Sequence, residues 1–264
     1  MKERVRTVLF TIVITVVFIS MLAWLQGMTA GRIEKNAAVQ QAKSILYAFG
    51  MLPQGIDEAE LPAKATTSDI PWNETDLFQR LGSETDVLRL PITNDDLKLK
   101  APVSPNMHDS VEIYVRYDEQ GRTEALGFTM RGKGLWGSIS AFAAVNPDFT
   151  RMIGIDFTDQ VETPGLGARI TEQEFKYYFR NLDISGLKHN TDNFVEMVRD
   201  KDVPNTLQPT HTVEAITGAT QTCNGVMNML ISDLPFYYQV VTSNREIIEH
   251  FAAERGRHGS ARDS

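Results

Sequence analysis

The most hydrophobic stretch of the sequence predicts a helix that spans a membrane. From Thr7 to Gly31 the chain carries no charged residue, and its apolar centre, Val8 to Leu25, is 18 residues long. As a helix this centre measures about 27 Å, close to the roughly 30 Å hydrocarbon core of a bilayer. Because Lys2, Arg4 and Arg6 precede it, we expect a cytoplasmic N-terminus and an extracytoplasmic main domain.

A cleavable signal peptide is the alternative interpretation of the same stretch, since it also begins with basic residues. Signal peptides usually have an apolar region of about 7–15 residues, which is shorter than the run here. Cleavage also needs small residues at both positions before the cut, whereas Met28-Thr29-Ala30 places a large Met at the outer one. Both departures favour an uncleaved anchor.

Helical periodicity recurs in three places after the anchor. Apolar spacing predicts an amphipathic helix from Ile33 to Phe49 that ends at Gly50, and no element is predicted between Met51 and about Ser110. A capping box at Thr171–Glu174 predicts a second helix, and a third begins near Thr222. The apolar positions of these two later helices are Phe175, Tyr178, Phe179, Val226, Met229 and Leu230.

Alternating hydrophobicity and turn residues predict an antiparallel meander in the middle of the chain. The predicted strands are Val111 to Tyr117, Thr123 to Met130, Ser138 to Val145 and Arg151 to Thr158. The fold class is therefore α+β: a single N-terminal transmembrane helix, followed by an extracytoplasmic domain in which helices flank an antiparallel β-sheet.

These patterns divide the chain into four parts. Residues 1–31 form the cytoplasmic N-terminus and the anchor, and residues 32–110 form the amphipathic helix and the start of the extracytoplasmic domain. The main domain covers residues 111–255, and residues 256–264 are polar and are expected to form a flexible tail.

Composition excludes several classes of function. The net charge is -8 and the chain has no basic stripe, which argues against nucleic-acid binding. The single cysteine, Cys223, rules out an internal disulfide, and the five histidines lack metal-ligand spacing, so we expect no metal site. Cys223 is either a small packing residue, which its residue type favours, or a thiol near a ligand.

Two glycine-rich blocks interrupt the predicted sheet at strand ends, where loops commonly carry function. In Gly132–Gly137 the glycines allow close approach of a ligand, while Trp136 either lies against a planar ring or fills the core. In Glu162–Gly167, Pro164 and two glycines predict a tight turn that presents backbone N–H groups and the apolar Leu166. An ordinary tight turn is the alternative.

A third block, Thr217-Gly218-Ala219-Thr220, lies just before a predicted helix. Its small residues allow a bulky group to approach, and a helix N-terminus favours a phosphate through its free N–H groups and its dipole. The alternative is a plain turn that leads into the helix.

The third block resembles the flavinylation motif of the FMN-binding domain family, in which FMN is attached through its phosphate to the last threonine. All three blocks, in this order and behind an N-terminal anchor, resemble the family of C-type subunits of Na⁺-translocating NADH:quinone reductases. The related G-type subunits of Rnf electron-transport complexes share the second and third blocks. Glu214 departs from the pattern, because the motif read by the flavin transferase usually begins with Asp.

The resemblance implies a covalent FMN, joined by a phosphoester to Thr220 and installed by a flavin transferase. It also implies an electron-carrier subunit of an inner-membrane NADH:quinone reductase that reduces ubiquinone and transports Na⁺ with its partner subunits. The isolated chain is expected to lack the full activity, and it contributes no catalytic residue. The further residues that the resemblance assigns to flavin binding are Gly134, Leu135, Trp136, Glu162, Thr163, Gly165, Leu166, Gly167, Thr217, Gly218, Ala219 and Thr222.

Three alternatives to this function remain open at the level of sequence. One is a G-type protein of an Rnf complex, and the first glycine block favours the C-type over it. A second is a membrane-anchored binding or assembly module without redox activity. The third is a secreted flavin-dependent reductase released by signal cleavage. No Gly-x-Gly-x-x-Gly follows a strand, so nothing here resembles an NADH site.

Overall fold

The computed structural model describes residues 2–92, 110–118, 120–189, 194–198 and 211–260. Two compact units are present, Met1–Gln41 and Ala42–Ser264. Part of the predicted 32–110 region and the last four residues of the predicted tail lie outside the described residues.

The anchor and the amphipathic helix that follows it form one continuous helix, α1 (Lys2–Ala48). The expected division after residue 31 falls inside this helix. Within the first unit the helix is long and apolar enough to cross a membrane, and none of its apolar window is buried. Large apolar side chains from Val5 to Met28 are exposed, which matches the composition of a membrane anchor.

The last turns of α1 belong to the second unit, where residues 42–49 are all buried. Gly50 ends the helix as predicted: its φ is +72°, and its N–H donates to the Tyr47 carbonyl at 2.9 Å. The final carbonyls are capped by arginine side chains. Arg180 donates to the oxygens of Tyr47 (2.7 Å) and Ala48 (3.2 Å), and Arg116 donates to that of Phe49.

A five-stranded antiparallel sheet forms the centre of the second unit, with strand order β1-β2-β3-β4-β5. The predicted meander is confirmed by four of these strands. The strands are β1 (Thr85–Pro91), β2 (Ser110–Tyr117), β3 (Thr123–Lys133), β4 (Ser138–Val145) and β5 (Met152–Asp159).

Strand β1 lies in the region for which the sequence predicts no element. It is an edge strand in which residues 86, 88 and 90 are more buried than residues 87, 89 and 91. Because Asp86 lies on the more buried side and Val87 on the exposed side, the residue types do not show the alternation that marks a half-buried strand. The helix before it, α2 (Glu74–Glu84), begins where Asn73 accepts hydrogen bonds from the N–H groups of Thr75 and Asp76.

The sheet is covered on both faces, which explains why β4 reads as a continuous run of small and apolar residues. On one face lies the long helix α4 (Thr220–Ser243), whose Tyr237 ring stacks on Phe128 at 3.9 Å between centroids. On the other face Phe49 meets Phe142 edge to face at 5.7 Å. A further helix, α5 (Arg245–Ser260), follows α4 and extends into the predicted tail.

The predicted capping box at Thr171–Glu174 is wrong. The helix here, α3 (Gln173–Lys176), is a single turn whose N-cap is Glu172 and which receives no side-chain cap. Thr171 instead donates to the Ala168 carbonyl, and Glu174 pairs with Arg169 at 3.0 Å. The N–H groups of residues 173 and 174 donate to the carbonyls of residues 65 and 63, so the segment after α1 caps this helix.

Two short strands, β6 (Glu196–Val198) and β7 (Thr212–Glu214), pair in parallel beside the main sheet. Strand β7 ends at Glu214, and α4 begins at Thr220. We call residues 214–220 the candidate attachment motif. The motif is therefore held at both ends by regular structure.

Candidate functional site

The candidate attachment motif forms a tight, exposed turn at the N-terminus of α4. Gly218 adopts a φ of +83°, which a residue with a side chain rarely adopts. Thr217, Gly218 and Thr220 are exposed, while Ala219 is buried as the residue before the helix. Thr220 is the first helical residue, so the structure presents its hydroxyl to solvent beside the N–H groups of the first turn.

Cys223 lies beneath this turn. Its side chain is buried, and its sulfur accepts a hydrogen bond from the Ile216 N–H at 3.3 Å. Burial raises the pKa of the Cys223 thiol, which keeps it protonated at neutral pH. Of the two interpretations drawn from the sequence, the small packing residue describes Cys223.

Glu162 connects the three sequence blocks to one another. This residue is only 5% exposed, yet both carboxylate oxygens have partners. Oε1 accepts from the backbone N–H of Trp136 at 2.9 Å, and Oε2 accepts from the Thr222 hydroxyl at 2.5 Å. Burial raises the pKa of the Glu162 carboxyl, but the hydrogen bonds from Thr222 and from backbone N–H groups outweigh it, and the pKa lies below its ordinary value.

Glycines allow the three blocks to approach this closely. A Cβ at Gly134 would lie 2.4 Å from Glu162 Oε1, and a Cβ at Gly167 would lie 2.4 Å from Thr222 Oγ1. Inside α4, a Cβ at Gly225 would lie 2.4 Å from the carbonyl oxygen of Lys133. Each of these distances is shorter than real Cβ contacts, so the blocks meet only because side chains are absent at these positions.

An exposed apolar patch lies beside the attachment motif. It consists of Leu135 (54% exposed), Trp136 (68%), Val161 (62%) and Leu166 (44%). Leu166 reaches the motif, because its Cδ2 would lie 3.1 Å from a Cβ at Gly218. Four large apolar side chains in solvent beside an exposed hydroxyl form a surface on which a planar aromatic group could lie.

Trp136 does not fill the core, so that alternative is wrong. Its indole N–H donates to the Thr163 hydroxyl at 3.1 Å, which orients an otherwise exposed ring. Thr163 also closes the second glycine block, because its carbonyl accepts from the N–H groups of Leu166 and Ala168, both at 3.1 Å. Between them Gly165 adopts a φ of +75°, as the predicted tight turn requires.

Glu214, the residue that departs from the expected motif, borders a separate small pocket. The Tyr178 hydroxyl donates to its carboxylate. Arg169 also borders this pocket and pairs with Glu172 at 3.3 Å. The residues that line this pocket are Arg169, Glu172, Glu174, Phe175, Tyr178, Glu214, Ala215, Ile216 and Thr217.

Contacts of Glu162 and Leu166 connect the two glycine-rich blocks to the start of α4, and the residues assigned from the sequence fall into two different settings. Thr220, Leu135, Trp136 and Leu166 are exposed, whereas Thr222 is buried and turned toward Glu162. Val161, Gly225 and Tyr178 also lie at or beside this site and are not predicted from the sequence. A glycine inside a predicted helix, as at 225, is the one signal that could have indicated a close backbone contact. In the described part of the chain, no three His, Cys, Asp or Glu side chains are arranged to hold a metal ion.

A model of the FMN-binding domain family matches residues 134–233, which include all but the first two residues of the three blocks. The chain is also similar to C-type subunits of Na⁺-translocating NADH-quinone reductases. It is 35% identical to that of Chlamydia pneumoniae over 45% of this chain and 40% of the relative. With that of Pseudomonas aeruginosa it is 27% identical over 74% of this chain and 78% of the relative. The alignment therefore spans under half of one relative and about three quarters of the other.

Two solved structures share the fold. The first, NqrC of Shewanella oneidensis, superposes with a TM-score of 0.55 at 17% identity, covering 76% of this chain and 96% of that one. The second, the C-type subunit of the Na⁺-translocating NADH-quinone reductase from Parabacteroides distasonis, gives a TM-score of 0.53 at 19% identity, covering 77% and 94%. The resemblance predicted from the three blocks is confirmed by these comparisons.

Proposed function

We propose, from the FMN-binding domain at residues 134–233, that this chain carries FMN in a phosphoester link to the Thr220 hydroxyl. In this proposal it serves as an electron-carrier subunit of a membrane-bound, Na⁺-translocating NADH:quinone reductase. One observation carries the proposal: an exposed threonine hydroxyl begins helix α4 directly beside an exposed apolar patch.

The phosphate position is supported by local electrostatics. The first-turn N–H groups of a helix lack carbonyl partners within it, and the dipole adds partial positive charge there. A phosphate on Thr220 Oγ1 would accept hydrogen bonds from these groups. Because α4 is 24 residues long, its dipole is fully developed at this end.

The residues around Thr220 also fit the ring of the flavin. Leu135, Trp136, Val161 and Leu166 would cover part of its faces, while solvent access leaves an edge free for a redox partner. When bound, FMN supplies reversible electron transfer. The chain's own residues bind and orient it, and they shield part of it from water.

The remaining parts of the proposal concern partners and location. Helix α1 would cross the cytoplasmic membrane with its basic end in the cytoplasm, placing the flavin on the extracytoplasmic side. A flavin transferase would attach the cofactor from an activated flavin nucleotide. The Thr220 oxygen would form the new bond to phosphorus, while the donor's leaving group and the hydroxyl proton depart. Electron donors and acceptors would be other subunits of the complex.

Intact-mass measurement after co-expression with a flavin transferase tests this function. We expect the wild-type chain to gain the mass of FMN less one water, because the Thr220 oxygen takes the place of one phosphate hydroxyl and the Thr220 hydroxyl proton is lost, whatever leaving group the donor releases. Thr220→Ala should abolish the gain completely, and Thr220→Ser should retain it because the hydroxyl is kept.

Thr242→Ala is the matched control, since it removes an exposed threonine hydroxyl at the opposite end of α4. A mass gain that persists in Thr220→Ala would refute Thr220 as the attachment site. A colourless wild-type protein without bound flavin would instead favour a binding or assembly module. N-terminal sequencing of the protein from native membranes separates the anchored form from the secreted alternative.

A further inference from the structure

We infer that Glu162 is a positioning residue of the flavin site, whose buried carboxylate fixes the exposed apolar patch against the N-terminus of α4. It acts through Trp136 and Thr222 and does not itself touch the flavin. The inference deepens the proposed function and rests on it only where FMN attachment is the measurement.

The carboxylate joins segments that are far apart in the sequence. Its partner Trp136 lies 26 residues away and its partner Thr222 lies 60 residues away. Trp136 belongs to the loop that presents the patch, and Thr222 lies in the first turn of α4, two residues after the proposed attachment site. One side chain therefore sets the distance between the ring-binding surface and the phosphate position.

The chemistry at this point requires an acceptor on both oxygens. The groups that face the carboxylate are all donors, namely the Thr222 hydroxyl and the backbone N–H groups of residues 135–137. An amide keeps one acceptor oxygen for the backbone N–H groups, but its NH₂ group cannot accept from the Thr222 hydroxyl, so that charge-assisted hydrogen bond is lost. Buried donors without partners are costly, so an anionic acceptor is specified at Glu162.

Because Glu162 is buried, its positioning role does not involve contact with the flavin. Glu162 is 5% exposed, and Gly134 and Gly167 lie so close to the carboxylate and its partner that no Cβ fits at either position. A flavin ring does not fit into that space. The neighbouring side chains of Val161 and Leu166 are exposed instead. Residues 161–167 therefore supply both exposed apolar side chains and the buried carboxylate that positions them.

Trp136 connects the buried Glu162 carboxylate to the exposed apolar patch. Its backbone N–H donates to Glu162, while its indole N–H donates to the adjacent residue, Thr163. Both ends of an otherwise exposed tryptophan are thus held by two consecutive residues. Release of the first contact frees the loop to move, and the indole loses its fixed position beside Thr163.

The test uses the full chain in detergent, with two variants that break the contact from opposite sides, Glu162→Gln and Thr222→Val. The conservative Thr222→Ser keeps the hydroxyl, and Asp159→Asn removes an exposed carboxylate three residues from Glu162. Folding of each variant is checked by circular dichroism. The first readout needs no flavin: the indole ¹⁵N–H spectrum of the apo-protein, in which the three tryptophans give three signals and Trp136→Phe assigns one.

The second readout is FMN incorporated per chain, measured by intact mass early in co-expression with a flavin transferase. We expect both breaking variants to shift the Trp136 signal and to lower incorporation about tenfold, the equivalent of one lost buried hydrogen bond of about 1.4 kcal/mol. Thr222→Ser and Asp159→Asn should match the wild type in both measurements.

Several outcomes overturn the inference. One is a folded breaking variant with an unshifted Trp136 signal or with wild-type FMN incorporation. Another is failure of both breaking variants to fold, which would make Glu162 a folding residue only. Absence of FMN from the wild-type chain would count against the proposed function alone, because the shift of the Trp136 signal in the apo-protein still decides the role of Glu162.

Discussion

Two buried carboxylates in the second unit are satisfied in different ways. Asp156, 3% exposed, accepts from the Lys176 ammonium at 2.8 Å and from the Thr67 hydroxyl at 2.6 Å. Glu162, 5% exposed, accepts only from a hydroxyl and from backbone N–H groups. Asp156 therefore belongs to an ion pair whose net charge is zero, whereas the Glu162 carboxylate keeps its negative charge.

This difference distinguishes a carboxylate that stabilises the fold, Asp156, from one that positions the candidate site, Glu162. Lys176 is fully buried and lies 4.0 Å over the Tyr47 ring, so the ion pair joins the end of α1 to strand β5 and helix α3. Burial lowers the pKa of Lys176, although the nearby Asp156 opposes this effect. Glu162 instead joins exposed loops, whose backbone groups must hold a defined position for ligand binding.

The largest expected effect comes from breaking the ion pair. Lys176→Met leaves Asp156 buried without its cation and should lower the free energy of unfolding by about 3–5 kcal/mol. Denaturant titration of the full chain in detergent measures this change. The double variant Lys176→Met/Asp156→Leu should regain most of the loss, because no unpaired charge remains.

Exposed Lys188→Met is the matched control and should change stability by about 0.5 kcal/mol or less. Equal stability of Lys176→Met and this control would contradict the structural role of the pair. In the folded fraction of Lys176→Met, we expect FMN attachment at the wild-type level, since the pair makes no contact with the attachment motif.

An intermediate effect on stability is expected from adding a methyl group to the closely packed space around Glu162. Gly167→Ala places a methyl group 2.4 Å from Thr222 Oγ1 and 2.9 Å from Glu162 Cβ, which should cost about 1–3 kcal/mol of stability. Thermal unfolding of the wild type and the variant measures the cost. Gly82→Ala in α2, which meets nothing within 4 Å, should be neutral or slightly stabilising. A wild-type melting temperature for Gly167→Ala would show that the blocks are less closely packed than described.

The smallest effect is a pH dependence that belongs to Glu162. Because its folded-state pKa lies below the ordinary value of 4.5, its contribution is complete above pH 4.5 and is lost as pH falls through the folded-state pKa. The stability difference between wild type and Glu162→Gln should therefore narrow in acid. Unfolding free energies measured at neutral pH and at several values below pH 4.5 provide the test. A difference that stays constant over this range would rule out the ionised carboxylate as its source.

Much of the fold could be predicted because its determinants are local. Val111 to Tyr117 alternates cleanly, since one face of β2 is buried and the other is not, and the predicted end of α1 follows from Gly50 alone. Strand β1 could not be predicted, because its burial alternates but its residue types do not: Asp86 lies on the more buried side and Val87 on the exposed side. The capping box failed because the N–H groups of residues 173 and 174 donate to the carbonyls of residues 65 and 63, which are distant in sequence.

The candidate site, like the fold, could be predicted from the sequence only in part. Its blocks could be recognised as short motifs, and Thr220 follows from the third of them. The distinction between exposed Trp136 and buried Thr222 could not be read from residue types, because both are set by partners that are distant in sequence. Residues 161–167 supply both exposed apolar side chains and the buried Glu162 carboxylate, and this division is likewise visible only in the structure.

The buried end of α1 has a practical consequence for handling the protein without its membrane segment. Residues 42–49 belong to the core, and two arginines, at 116 and 180, cap their last carbonyls. A soluble fragment that begins at Gly50 would leave an open groove, and both guanidinium groups would lose the carbonyl partners that α1 and Phe49 supply. Truncation should therefore fall before Ala42, and any protease that releases an intact domain from the membrane must cut there as well.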